Sequence, residues 1–218
     1  MKLYKRIIGM SLGLMFLGIG TAIFKISALG NDSVGALIFS VVYLIDKPKF
    51  TYFLCYLIVN TIIMIPMLIW ARDKIGVSTI LSLFLVGFCC DIMLNIFDAV
   101  GLEITNIFLR LLCSFSALLI ISLGISLYVE ADLGVSPYDE IPLLLQKIFP
   151  KISYQFTRIM LDVSATLLAF IIGVVILKRT DIINFNTFLS FVGFGPTIVL
   201  CSKFVNKCIY KKESKTLK

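Results

Sequence analysis

Six apolar runs, at roughly 7–28, 51–71, 76–97, 105–129, 153–177 and 182–202, occupy most of the chain. A helix needs about 20 predominantly apolar residues to cross the hydrocarbon core of a bilayer, and each run reaches that length. Nothing soluble can be built around six such segments. The chain is 59% hydrophobic and 15% charged, against roughly 45–50% and about 25% in soluble domains. It has too few polar residues to coat a soluble globule and too many apolar ones for disorder. The expectation is an all-α polytopic membrane protein, a single membrane domain over 1–218. The first run follows Lys2, Lys5 and Arg6. It stays essentially apolar from Ile7 to Phe24, longer than the apolar stretch of a cleaved signal, and is read as a retained span.

An internal duplication organises these runs. A shift of 104 residues brings Arg6 onto Arg110, Gly20 onto Gly124, and Leu29-Gly30 onto Leu133-Gly134. Further on, Thr79 and Ser82 meet Thr187 and Ser190, and Val86-Gly87-Phe88 meets Val192-Gly193-Phe194. The ordered series defines two homologous halves, about 1–104 and 105–218. Each half also has a short segment after its first span, Ser33–Ile45 and a stretch beginning at Pro137. Too short to cross, these read as re-entrant or half-helices. Asp32 or its neighbours and Ser136-Pro137 stand at their N-termini, as caps and first-turn residues should. Three full spans plus one half-helix per half is an odd count of crossings. The halves then have opposite orientations, an inverted-topology repeat. If the short helices crossed, there would be eight spans and a parallel repeat.

The net charge of +7 sits largely at the ends, in Lys2, Lys5 and Arg6 and in a basic tail over 203–218. Positive residues gather on the cytoplasmic side and near anionic lipid headgroups. This predicts a multi-pass protein of the bacterial inner (plasma) membrane with both termini cytoplasmic. The partner it implies is the lipid bilayer, not nucleic acid. A homo-oligomer or another membrane-protein partner stays open.

Charges inside spans are costly, and they mark function by default. Arg158 and Asp162 lie one turn apart on the fifth span. Glu130, Asp132 and Asp139, with Glu140, bracket the turn Leu133–Tyr138 between a span and a half-helix. A helix break frees backbone carbonyls and offers a helix N-terminus, so it can bind ions. Glu130, Asp132, Asp139, Arg158 and Asp162 are therefore the substrate- or ion-binding candidates. Asp132 and Asp139, supported by Glu130, are expected to face a polar cavity shared with Arg158. Asn60, Asp91 and Thr187 are secondary candidates; Asn60 could equally make an interhelical hydrogen bond. Gly9, Gly13, Gly18 and Gly20 suggest close helix packing.

Enzymatic chemistry finds little to use. The chain has no His, which removes the commonest general base and metal ligand. No Cys-x-x-Cys occurs among its six cysteines. Gly9-Met10-Ser11-Leu12-Gly13 matches a nucleophile-elbow string but lies within an apolar span. No zinc-protease or P-loop motif is present. The expectation is no catalytic residue, no metal and no cofactor.

The string Ala131-Asp132-Leu133-Gly134-Val135-Ser136-Pro137-Tyr138-Asp139 resembles the A-x-L-G-x-x-P-W/Y-D turn of the YczE/YyaS/YitT group of bacterial membrane proteins. Thr157-Arg158 with Asp162, Asn186-Thr187, and Gly193-Phe194-Gly195-Pro196 resemble that group's fifth and last spans. The first half departs from it: Ala28–Ser33 lacks the Pro and the aromatic, and Cys89-Cys90 replaces Gly-Pro. The resemblance implies a polytopic inner-membrane protein and no particular substrate. The leading expectation for function is a secondary transporter or permease for a small polar solute or ion, without ATP. The alternative is a non-transporting membrane scaffold or regulator that binds another membrane protein.

Overall fold

The computed structural model describes residues 3–47, 49, 51–70, 72, 75–179 and 181–210, apart from the side chains of Pro66, Trp70 and Tyr210. Lys2, Lys74 and the basic residues beyond 210 lie outside the described residues. Within them the chain is all-helical, with no strand. The helices are α1 (Leu3–Ile26), α2 (Ser33–Ile45), α3 (Tyr52–Trp70), α4 (Val77–Val100), α5 (Ile107–Glu130), α6 (Pro137–Ile148), α7 (Tyr154–Phe170) and α8 (Phe185–Val205). Short π-helical segments, Ile171–Ile176 and Asn206–Tyr210, extend α7 and α8. Six of these helices are long and apolar enough to cross a membrane, and α2 and α6 are not. This is the six-span count the sequence favours.

Local chemistry sets the helix starts. Asp32 caps α2 by accepting from Gly35 N at 3.2 Å, and Ser136 caps α6 by accepting from Asp139 N at 3.4 Å. Pro137 occupies the first turn of α6, where a missing N–H costs nothing. Asn106 and Ser153 cap α5 and α7 in the same way.

Glycines set how closely the helices approach. α1 packs on α4 and α5, and α5 packs on α1 and α8. α2 rests on α7 while α6 rests on α3. A Cβ on Gly13 would lie 2.6 Å from the Gly124 carbonyl oxygen, and one on Gly124 would lie 2.7 Å from that of Gly13. Bare backbones therefore meet at this crossing. Lipid gives apolar helices no hydrophobic reason to associate, so close packing of small residues must hold them together. The contacts also fix direction. Gly13 lies beside Gly124 and Tyr128, whereas Gly20 lies beside Ile121 and Ala117, so α1 and α5 are antiparallel. Ser122 bonds Thr197 and Ser126 bonds the Ile198 carbonyl, so α5 and α8 are parallel. The start of α1 and the end of α8 consequently share one face of the bundle.

Candidate functional site

Two breaks place the polar groups. In the first, Ala28 and Gly30 have φ of 54° and 86°; in the second, Asp132 and Gly134 have 56° and 109°. These left-handed residues turn each chain sharply from a long helix into a half-helix. Each break is braced by the start of a helix from the other half. Asn186 N donates to Leu29 O at 2.9 Å and Thr187 Oγ1 to Asn31 O at 2.7 Å. At the second break Ser78 N donates to Leu133 O at 3.0 Å and Thr79 Oγ1 to Val135 O at 2.7 Å. Carbonyls freed by the turns are thereby satisfied inside the protein, as the bilayer requires.

Between the breaks lies a partly open cavity with about 40 Å³ open to the centres of water-sized molecules. Its wall includes Leu17 of α1 and Ile121 of α5. Both lie less than one turn from the centres of their helices. Asp32, Asp139 and Arg158 bring charge to it.

Arg158 is 3% exposed and is held at two points. One Nη donates to Asp139 Oδ1, and Nε reaches Asp162 Oδ2 at 3.3 Å. Each carboxylate has its second oxygen occupied as well. Asp139 Oδ2 accepts from Ser136 Oγ at 2.9 Å and from the Tyr128 hydroxyl. Asp162 Oδ1 accepts from the Tyr138 hydroxyl at 2.8 Å. The Tyr138 ring also stacks under the guanidinium, 5.2 Å from its centroid. Buried charges survive only with this kind of pairing and hydrogen bonding. Asp32 is different. It is 6% exposed, one oxygen caps α2, and Oδ1 has no hydrogen-bond partner among the described residues.

The structure thus brings Asp139, Arg158 and Asp162 together and places the other candidates elsewhere. Asp132 does not share a cavity with Arg158. Its side chain is 76% exposed and pairs with Arg6 at 3.4 Å. Its left-handed backbone turns the carboxylate outward, while Arg6 also binds the carbonyls of Ala131 and Asp132. Glu130 is half-buried at the end of α5 and is not part of the cavity wall. Asn60 donates to Tyr56 O one turn back in its own helix, at 3.0 Å, rather than between helices. Thr187 braces the first break. Asp91 accepts from Phe53 N at 3.1 Å and so caps α3 from α4. Asp91→Ala is expected to cost about 1 kcal/mol, the usual loss for a cap. A lower melting temperature of the purified protein, with its folded yield kept, checks this.

Sequence reasoning missed the membership of Asp32, Tyr128 and the α3 tyrosines Tyr52 and Tyr56 in this site. A signal existed for Asp32: the 104-residue shift that aligns the breaks puts it opposite Ser136. None existed for Tyr128, an ordinary residue of an apolar span.

Among the described residues, no group of three or more His, Cys, Asp or Glu side chains is arranged to hold a metal ion. No curated protein and no solved structure matches the chain significantly. Residues 4–203, from the first span to the last and with both breaks and the Arg158 cluster inside, match DUF6198, a family of unknown function, and the chain belongs to that family.

Proposed function

We propose that the protein is a secondary transporter of a small polar solute or ion, built as an inverted-topology repeat. The observation that carries this reading is the charged, water-sized cavity at the level of the α1 and α5 centres. Its walls come from equivalent positions of the two halves. Leu17 pairs with Ile121 and Asp32 with Ser136 under the shift of 104, and the bracing residue Thr79 meets Thr187 under the later shift of 108. The same shifts carry the braces of one break onto those of the other. Antiparallel α1 and α5 fit halves of opposite orientation. Interrupted helices meeting near the midplane, between inverted repeats, are the usual substrate site of such transporters. Kinship with the YczE/YyaS/YitT group would place the chain in the inner membrane, and the Lys/Arg-rich ends would put both termini in the cytoplasm.

An asymmetry between the halves supports alternating access. Arg6 clasps the second break across halves, through the Ala131 and Asp132 carbonyls. Its counterpart Arg110 instead binds Ile104 O, in the connection before its own helix, at 2.7 Å. One end of the bundle is clasped and the equivalent clasp at the other end is not made. Exchanging the conformations of the halves moves the clasp from one face to the other. A scaffold has no need of a polar cavity, which favours transport over that alternative.

Labelling tests this without knowing the solute. Thr21 lines the cavity and is 6% exposed. Thr21→Cys is made in a background with Cys89, Cys113, Cys201 and Cys208 changed to serine, since these are the cysteines that are not buried. Silver ion, a thiol reagent the size of a small cation, is then applied to right-side-out and inside-out vesicles, and the thiols it has capped are counted by later alkylation after denaturation. Labelling from both sides is expected. Labelling from neither side means a sealed core and returns the protein to the scaffold reading.

A further inference from the structure

The cavity contains an electrostatic mismatch. Of the described residues that line it, Arg158 is the only cation, while Asp32 and Asp139 are both acids. Arg158 is already committed to Asp139 and Asp162. Asp32 is left with a buried oxygen that no group among the described residues serves. A buried carboxylate with one oxygen unserved and no cation committed to it is costly, and a proton or a positive charge from outside relieves that cost.

An anion is a poor occupant. Helix N-termini attract anions, but those of α2 and α6 are already taken by their own caps, Asp32 and Ser136. Any anion would meet the Asp32 carboxylate. A divalent cation demands six or more oxygens, with several carboxylates among them, and no such group exists among the described residues. The volume of about 40 Å³ exceeds the roughly 10–15 Å³ that one water centre needs. It admits an ion with a little water and excludes a sugar-sized solute. Thr21 and the aromatic residues Tyr52 and Tyr56 share the wall with Asp32, and the rest of it is largely aliphatic. The volume and the aromatic rings suit a small cation.

We infer that the cavity is a binding site for a small monovalent cation, with Asp32 supplying the charge that holds it. This rests on the transport reading and names the substrate class of that same site. A proton competes for the carboxylate. Burial pushes the Asp32 carboxyl up from 3.8 to about 6. The empty folded protein therefore holds that proton more tightly than the unfolded chain does. Its stability falls as pH climbs through the interval between those two values, and bound cation offsets the fall above it. The groups facing Asp32 from other elements act on this balance. α7 brings Arg158 and Asp162, α3 brings Tyr52 and Tyr56, and α4 brings Cys90. α6 brings Tyr138 and Asp139 to the shared wall, while α1 and α8 bring only groups without charge, such as Thr21 and Phe194.

The test is thermal melting of the purified full-length protein in sodium, potassium or ammonium chloride. The control is N-methyl-D-glucamine chloride, a cation too large for the cavity, at equal ionic strength. At about pH 8 one of the small cations is expected to raise Tm by about 2–4 °C near saturation. Its half-saturating concentration should rise by about tenfold per pH unit below the Asp32 titration. Asp32→Asn should lose the response and melt higher than wild type without cations. A response that survives Asp32→Asn, or no response at any pH, overturns the assignment. So does a pH-dependent melt that no cation alters, which makes the proton the sole occupant. If Asp32→Asn does not fold, the pH dependence of the wild-type response decides, and a flat one overturns the site. Melting reads binding and needs no flux. Cation binding without two-sided Thr21→Cys labelling removes the transport reading and keeps the site; the reverse result keeps transport and removes the site.

Discussion

Arg158→Met is expected to be the most damaging single substitution in the protein. It removes the one cation between two buried carboxylates, Asp139 and Asp162, and leaves both without it. An uncompensated buried charge typically costs about 3–5 kcal/mol, and here two are created together. The hydroxyls of Tyr128, Ser136 and Tyr138 still donate to them, but hydroxyl dipoles do not replace a charge. The expected result is little or no monodisperse protein after detergent extraction. Asp162→Asn is expected to be milder, because Arg158 keeps Asp139. This differs from an isolated Arg158–Asp162 pair, which removing both members would relieve. In a triad, Arg158→Met with Asp162→Asn still strands Asp139. Recovery of yield should require Arg158→Met with Asp139→Asn and Asp162→Asn together. If Arg158→Met melts within about 2 °C of wild type, less than about 1 kcal/mol on the usual scale, water reaches these carboxylates and the buried-triad account is wrong.

Gly13→Ala should have the next largest effect. The added methyl would lie 2.6 Å from the Gly124 carbonyl oxygen and 2.9 Å from the Tyr128 nitrogen. Both are backbone atoms of α5, so no side chain can swing away and the helices must separate. Overpacking of this kind costs about 1–3 kcal/mol in a well-packed core. Here it also disturbs the crossing that sets the distance between the two breaks. Gly195→Ala is the internal control. From the neighbouring helices its methyl would meet Gln155, at 3.6 Å, an ordinary contact. The next residue is Pro196, whose ring crowds a Cβ before it in a helix and offsets the better helix propensity of alanine. Melting temperatures should fall clearly further for Gly13→Ala than for Gly195→Ala. Equal effects would mean that the α1–α5 crossing is not tight.

Membership in the site followed from sequence only in part. Arg158 and Asp162 were legible because i and i+4 on a helix share a face whatever the surroundings. Asp139 was legible as an acid in the first turn of a half-helix. Asp132, seven residues earlier on the same turn, looked equivalent and is not. A left-handed residue between two helices throws its side chain to one side, and only the docking of Arg6 on that side explains where it points. Asp91 looked like an intramembrane charge awaiting a ligand; its ligand is the first turn of α3. Glu130 and Thr187 likewise carried no mark distinguishing a cavity wall from a connection or a brace.

The sequence by itself determined the class of the protein, its six spans, its two half-helices and the caps that start them. These depend on segment length, hydropathy and the chemistry of a few neighbouring residues, all local quantities that the bilayer enforces strictly. Tertiary structure alone decided which acids meet Arg158, that Tyr128 and Tyr138 complete their hydrogen bonds, and that Asp32 keeps an oxygen without a partner. Those facts depend on how α1 crosses α5 and how each break docks on a helix from the other half. Close approach of glycine backbones sets that geometry, and a pattern of glycines along one chain does not say which of them will face one another.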